Sequence, residues 1–410
     1  LKLGAISGTS TITGWLIGQS YGNPVTDEGA LNVAGTTKIL ATGQNVTLND
    51  TGSNLQGPLK IKGAIVSVTH PYAIELGDST ITGTYDVRTT TGNITDSSSH
   101  GTLDVAGNAT FTTDASDADI RLDSTTNGFG GTVTVNTAGT GGDAEIHGGS
   151  TPLKIIASGG AGTLKLTTTG ADITDSGALV VLGATTIDAG GADVTLDHGS
   201  SNLQGAVGVS GRNILMTHPT GIDLGNSTVT GTYGVTATTG NITDTGNLTI
   251  TGLTTLVTSA DGGDITLNGT GHTFTGNVKV TTNETGTNAD ADAWIDGGSS
   301  AGLKIEKGSE VQGDLTLRSG HANTITDEGD SGVVTVDGNL TATTYANNGS
   351  ITLDELAVDG TIGLNTHGTG AATVVNDAGL NFAASTVGGA LSATATTGNM
   401  TQSGALDIEG

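Results

Sequence analysis

The sequence predicts an all-β fold: a single parallel β-helix, or solenoid, of about 20 coils with roughly 20 residues in each. Three observations predict it. The composition suits turns and strands rather than helices, the chain repeats itself over a long period, and a short strand period is nested inside the long one.

The 410 residues include 69 Gly, with only 13% charged and 3% aromatic side chains. An ordinary soluble domain has about 25% charged residues and about 7% Gly. Gly, Thr, Asn, Asp and Ser dominate, while the Lys, Arg, Glu and Gln of helix surfaces are scarce. Asp outnumbers Glu 31 to 9, as turns prefer. The glycines follow no three-residue period, which excludes collagen, and no 18-residue apolar run suggests a membrane-spanning helix. A net charge of -27 and the absence of any basic cluster argue against nucleic acid and anionic lipid as partners. There are no cysteines, as suits passage through an oxidising compartment. The chain starts at Leu1 without a leader-like run and ends at Gly410 in mid-pattern, and it is expected to be an interior piece of a longer protein.

The long repeat is read by aligning 27–96 with 175–244, where 39 of 70 positions are identical at an offset of 148 without gaps. Ser53-Asn54-Leu55-Gln56-Gly57 returns as Ser201 to Gly205, Thr69-His70-Pro71 as Thr217-His218-Pro219, and Gly92-Asn93-Ile94-Thr95-Asp96 as Gly240 to Asp244. Leu153-Lys154-Ile155 returns more loosely as Leu303-Lys304-Ile305, and Ile173-Thr174-Asp175 as Ile325-Thr326-Asp327. The expected organisation is a partial leading coil over 1–24, super-repeats over 25–172 and 173–324, and a truncated third over 325–410.

The short period appears as strand-like triplets beginning at Ile173, Val194, Ile214, Ile242 and Ile265, separated by steps of 21, 20, 28 and 23. Between them lie further alternating runs such as Val207-Gly208-Val209, Leu248-Thr249-Ile250 and Val278-Lys279-Val280. Each run alternates apolar with small or polar residues, the mark of a strand with one buried face, and Gly, Asn and Asp separate the runs. About three short strands per period near 20 residues is one turn of a parallel β-helix, with one strand donated to each of three sheets. Inward Leu, Ile and Val stack coil on coil, and outward Thr and Asn form ladders. The competing arrangement, a string of β-sandwich domains, would need a larger aromatic core and more varied loops.

Runs such as Ala237-Thr238-Thr239-Gly240-Asn241-Ile242-Thr243-Asp244, Gly246-Asn247-Leu248-Thr249-Ile250 and Gly262-Gly263-Asp264-Ile265-Thr266-Leu267-Asn268 resemble the repeat region of filamentous-haemagglutinin-like exoproteins. These are large secreted adhesins of the two-partner secretion pathway of Gram-negative bacteria. The resemblance covers nearly the whole chain. It implies a right-handed helix, exposure at the cell surface, and roles in adhesion, aggregation or biofilm. The family's secretion domain carries Asn-Pro motifs. Here the only such pair is Asn23-Pro24, followed by Val25 rather than the family's continuation, so the segment is expected to be shaft without the secretion module.

Adjacent Asp-Asp, Gly-His-Gly and Arg-x-Lys, which a polysaccharide hydrolase on this fold would use, are absent, so no enzyme and no catalytic residue is expected. The repeated His70-Pro71 and His218-Pro219 pairs are expected to be corners where proline fixes φ and stops strand pairing. Asp290, Asp292 and Asp296, and Asp114, Asp117 and Asp119, stand close enough in sequence to be candidates for a structural calcium ion; no other cofactor is expected. Twelve Asn-x-Ser/Thr sequons, among them Asn93, Asn241 and Asn339, are candidate glycosylation sites or ladder residues. Trp15, Trp294, Tyr21, Tyr72 and Tyr345 are the available aromatic platforms for sugars, while the repeat-equivalent Tyr85 and Tyr233 are expected to pack.

The function expected on these grounds is a structural, rod-like shaft of a secreted surface protein, with a self-assembling subunit of an extracellular filament or sheath as the alternative. A glycan-active enzyme or phage tail-fibre segment is the minor reading. The expected partners are other copies of the chain, end to end or laterally, and surface glycans or proteins of a host or neighbouring cell.

Overall fold

The computed structural model describes residues 1–4, 9–97, 101–286, 290–320, 324–329 and 332–410. Among them there is no helix; every strand pairing is parallel, and the chain winds as a β-solenoid of about 19 turns with roughly 21 residues per turn. It divides into two compact units, Leu1–Gly205 and Ala206–Gly410.

In the first unit one column of strands runs Val46–Leu48, Val66–His70, Tyr85–Thr89, Ala109–Ser116 and Thr132–Ala138, each hydrogen-bonded to the next. A second runs Ile74–Leu76, Ile94–Asp96, Ile120–Leu122, Ala144–His147 and Leu164–Thr167. A third runs Ser79–Ile81, Leu103–Val105 and Gly128–Phe129. The longer strand Leu59–Gly63 pairs with both of the last two columns. The second unit repeats the plan, with Ile214–His218, Tyr233–Ala237 and Thr254–Asp261 in one column and Ile222–Leu224, Ile242–Asp244 and Ile265–Leu267 in the next.

Alternation along each strand sends every second side chain inward, and in-register stacking puts like on like. Leu48, Val68, Val87, Phe111 and Val135 face one another in successive turns and are all buried. The core admits few large rings, and three in the first unit meet edge to face: Tyr85 and Phe111 at 6.0 Å, Phe111 and Phe129 at 6.3 Å. Turn length varies within this frame, from 17 residues where Leu59 faces Leu76 to 29 where Thr281 faces Glu310.

One detail of the strand period differs from the sequence expectation. The step from Ile214 to Ile242 is not a turn: Ile214 faces Tyr233, 19 residues on, while Ile242 belongs to the neighbouring column and faces Ile222 and Ile265. Similar triplets occur in different columns, so triplet spacing alone mixes two registers.

Candidate functional site

The polar residues that recur in the sequence are held where one turn meets the next. Val25-Thr26-Asp27 is the first of five hydrophobic-Thr-Asp motifs, and each aspartate accepts backbone N–H bonds from the following turn. Asp27 accepts from Asn49 and Asp50 at 3.0 and 2.8 Å, and Asp96 from Asp123 and Ser124 at 3.3 and 2.9 Å. Asp175 accepts from Asp197 and His198 at 3.1 and 3.0 Å, and Asp327 from Asp354 and Glu355 at 3.1 and 2.7 Å. Asp244 accepts from Asn268 at 2.9 Å. Burial pushes the carboxyls of Asp96, Asp175 and Asp327 up, and the amide bonds they accept pull the other way.

At another corner the side-chain oxygens of Asn and Asp form continuous ladders. In the first unit Asn93 accepts the N–H of Asp119, Asp119 that of Asp143, and Asp143 that of Thr163, at 2.8–3.0 Å. In the second, Asn241, Asp264, Asp292, Asp314 and Asn339 form a ladder of five that ends on the N–H of Thr361. Each rung spans the coil spacing of about 4.8 Å. An Asp or Asn side chain reaches that far, which accounts for the preference for Asp over Glu.

The predicted calcium residues fall on these structures and beside them. Asp119 and Asp292 are ladder rungs. Asp117, at φ 62°, accepts the N–H of Gly141 at 2.9 Å, and Asp114 pairs with Arg88 at 2.7 Å. Asp296 is buried, accepts the N–H of Gly298 at 2.8 Å and lies 3.8 Å from the Arg318 Nε; Asp290 is exposed. Asn288 and Ala289, which open the run around Asp290, lie outside the described residues. Among the described residues no group of three or more His, Asp or Glu is arranged to hold a metal ion.

The repeated histidines are internal brackets. His70 is buried; its Nε2 accepts the N–H of Leu55 at 3.0 Å, and its Nδ1 donates to the Tyr72 carbonyl at 2.9 Å. His218 is likewise buried, with Nδ1 at 3.3 Å from the Thr220 carbonyl. Burial pushes both imidazoles below their ordinary value, with backbone bonds opposing. Asn376 takes the same strand-end position near the C-terminal end of the sequence: its Oδ1 accepts the N–H of Val358 at 2.8 Å and its Nδ2 donates to the Gly379 carbonyl at 2.8 Å. Sequence reading placed His70 and His218 at corners but missed this bracketing; the signal was their place as the last inward residue of a five-residue strand.

Of the aromatic residues, Tyr85 and Tyr233 are buried packing groups, as expected, while Trp15, Tyr21, Tyr72 and Tyr345 are exposed. Arg318 lies between Trp294 and Tyr345, its guanidinium carbon 5.8 and 4.7 Å from the two ring centres, and Tyr345 stacks on His367. Held between Arg318 and His367, Tyr345 tethers neighbouring turns.

No curated protein and no solved structure matches the chain. A family profile does, over residues 2–62, 63–136, 141–210, 211–281 and 369–410. Together these segments span most of the sequence, and the second and fourth start 148 residues apart, the offset of the long repeat. The chain therefore belongs to the family of repeats of unknown function (DUF5649).

Proposed function

We propose that the chain is a structural shaft of a secreted bacterial surface protein, with a mechanical role in adhesion, aggregation or biofilm rather than a catalytic one. The observation that carries this reading is the redundancy of the coil-to-coil bonding. The ladder from Asn241 to Asn339 joins turn to turn by side chain as well as by strand pairing. Such a stack resists extension by sharing force among many equivalent bonds, and it lengthens simply by adding repeats. The carboxylates most suggestive of chemistry are tied up as acceptors in these ladders. The resemblance to secreted exoproteins and the lack of cysteine support a place outside the cell of a Gram-negative bacterium. Electron microscopy of natively isolated material tests the reading. Discrete tethered rods support the shaft, continuous filaments support the filament or sheath alternative, and globules on a string overturn both.

A further inference from the structure

One outward face of the first unit breaks the pattern of this acidic protein. The strands Leu16–Gln19, Thr37–Leu40 and Leu59–Gly63 lie side by side, so that Ile17 faces Lys38, Lys38 faces Lys60 and Leu40 faces Lys62. Three of the 13 basic residues of the chain thus stand on two adjacent turns. Directly opposed like charges destabilise a sheet. One exposed carboxylate, Asp78, relieves them, 3.4 Å from Lys60. Most other cations sit beside a carboxylate, as Arg88 does with Asp114 and Lys2 with Glu28; among the described residues no ion pair holds Lys38 or Lys62. Trp15 and Ile17, 78% and 62% exposed, border the lysines and line with Lys38 and Lys60 an open cavity of about 310 Å³.

The long repeat supplies an internal control. At the offset of 148, Lys38, Lys60 and Lys62 become Thr186, Gly208 and Ser210, and Asp78 becomes Asn226. The inward neighbours Ile39, Ile61 and Gly63 return as Ile187, Val209 and Gly211. The coil keeps its core and gives up these four charges, while Ile17 returns as Lys165, so folding does not require a cation at positions 38, 60 and 62.

The complementary feature is the ladder of the second unit, where Asp264, Asp292 and Asp314 stand on successive turns. Burial raises the Asp292 carboxyl first, and repulsion from Asp314, Asp264 and Asp290 raises it further. Lys38 and Lys60 are one turn apart, as are these carboxylates, and both rows share the coil spacing of about 4.8 Å. Two rows with the same pitch and opposite charge can meet along their length, each relieving the repulsion of the other. We propose that the Lys38–Lys60–Lys62 face, flanked by Trp15 and Ile17, docks on the Asp264–Asp292–Asp314 ladder of a second copy of this chain. The two surfaces differ, so the contact is heterologous and propagates unless its geometry closes a ring. The proposal deepens the structural reading above and rests on it.

Complementation between two charge variants tests the contact. Lys38→Thr with Lys62→Ser installs the residues that the second repeat carries. Asp292→Asn with Asp314→Asn keeps the amide-accepting oxygen that Asn241 and Asn339 use in the same ladder. Sedimentation and light scattering should show wild-type chain associating in about 0.05 M salt and at least about tenfold more weakly in about 0.5 M. Each variant alone should stay monomeric with an unchanged circular dichroism spectrum, and an equimolar mixture should give one-to-one dimers. A monomeric wild type at low salt, variants that associate as wild type does, or a mixture that stays monomeric would each overturn the contact while leaving the shaft standing. So would a wild-type monomer retained on immobilised polygalacturonate through these lysines, which would assign the face to acidic glycans. An unfolded wild-type chain in dichroism would instead overturn the structural reading itself.

Discussion

His70 is the residue whose replacement tests the internal bracketing most directly. It is 1% exposed and holds two backbone groups, the Leu55 N–H at 3.0 Å and the Tyr72 carbonyl at 2.9 Å. His70→Leu keeps the volume but leaves a buried N–H and a carbonyl without partners, at a cost of about 2–4 kcal/mol. His70→Asn should cost less than about 1 kcal/mol, because Asn376 already performs the same double bond with Val358 and Gly379. The two differ in pH dependence as well. Burial lowers the folded pKa of His70 below the ordinary imidazole value of 6.5. The stabilising neutral form is therefore fully retained above pH 6.5, and its contribution is lost as pH falls from there towards the folded value, by at most about 1.4 kcal/mol per pH unit for each histidine. Asn does not titrate, so the His70→Asn/His218→Asn double variant should lose that part of the slope. A repeat array need not unfold in one step, so the assay is local: hydrogen exchange by mass spectrometry on a peptide containing Leu55, at about pH 7.5 and about pH 5. If the Asn variant exchanges as fast as the Leu variant, or keeps the wild-type pH slope, the bracket assignment is wrong.

Three further outcomes follow from the same geometry. Asp327→Ala, which removes the acceptor of the Asp354 and Glu355 amides, should cost about 2–4 kcal/mol of local protection by hydrogen exchange on a peptide containing those amides, and Asp327→Asn about half of that. The buried carboxyls Asp96, Asp175 and Asp327 have folded pKa values above 3.8, so their stabilising contribution is complete below pH 3.8 and fades as pH rises through the folded values; hydrogen exchange at the Asp354 and Glu355 amides should show protection rising from about pH 7 to about pH 4 in the wild type, and Asp327→Asn should lose that rise. Gly298→Ala should cost more than about 2 kcal/mol of local protection by hydrogen exchange on a peptide spanning Gly298, since the residue sits at φ +69° and a Cβ there would lie 1.9 Å from the His272 carbonyl oxygen.

The core was legible because a solenoid makes its long-range contacts between residues one short period apart. Strand alternation put Leu48, Val68 and Val87 on one side of the backbone, and the near-constant turn length brought them into register. The buried pair Tyr85 and Tyr233 could be read from repeat equivalence alone. The column to which a given triplet belongs was not legible. Ile214 and Ile242 open similar runs but stand in different columns, because the corner residues between them set the angle and the triplet does not.

The polar residues show the same division. Composition and repeat determined by themselves that this chain is an all-β solenoid, that Asn and Asp belong at its corners, and that its charge is overwhelmingly negative. Only the tertiary structure decided what those residues do. Asp119 and Asp292, close to other carboxylates in sequence, accept amides from the following turn, and His70 and His218 turn inward to bracket neighbouring backbone. Lys38, Lys60 and Lys62, scattered over 25 residues of sequence, become one cationic face when two turns are laid side by side. The physical reason is that periodicity fixes which side of the strand a residue faces. What that residue then meets depends on the length of each turn, which varies from 17 to 29 residues and sets the neighbour one coil away.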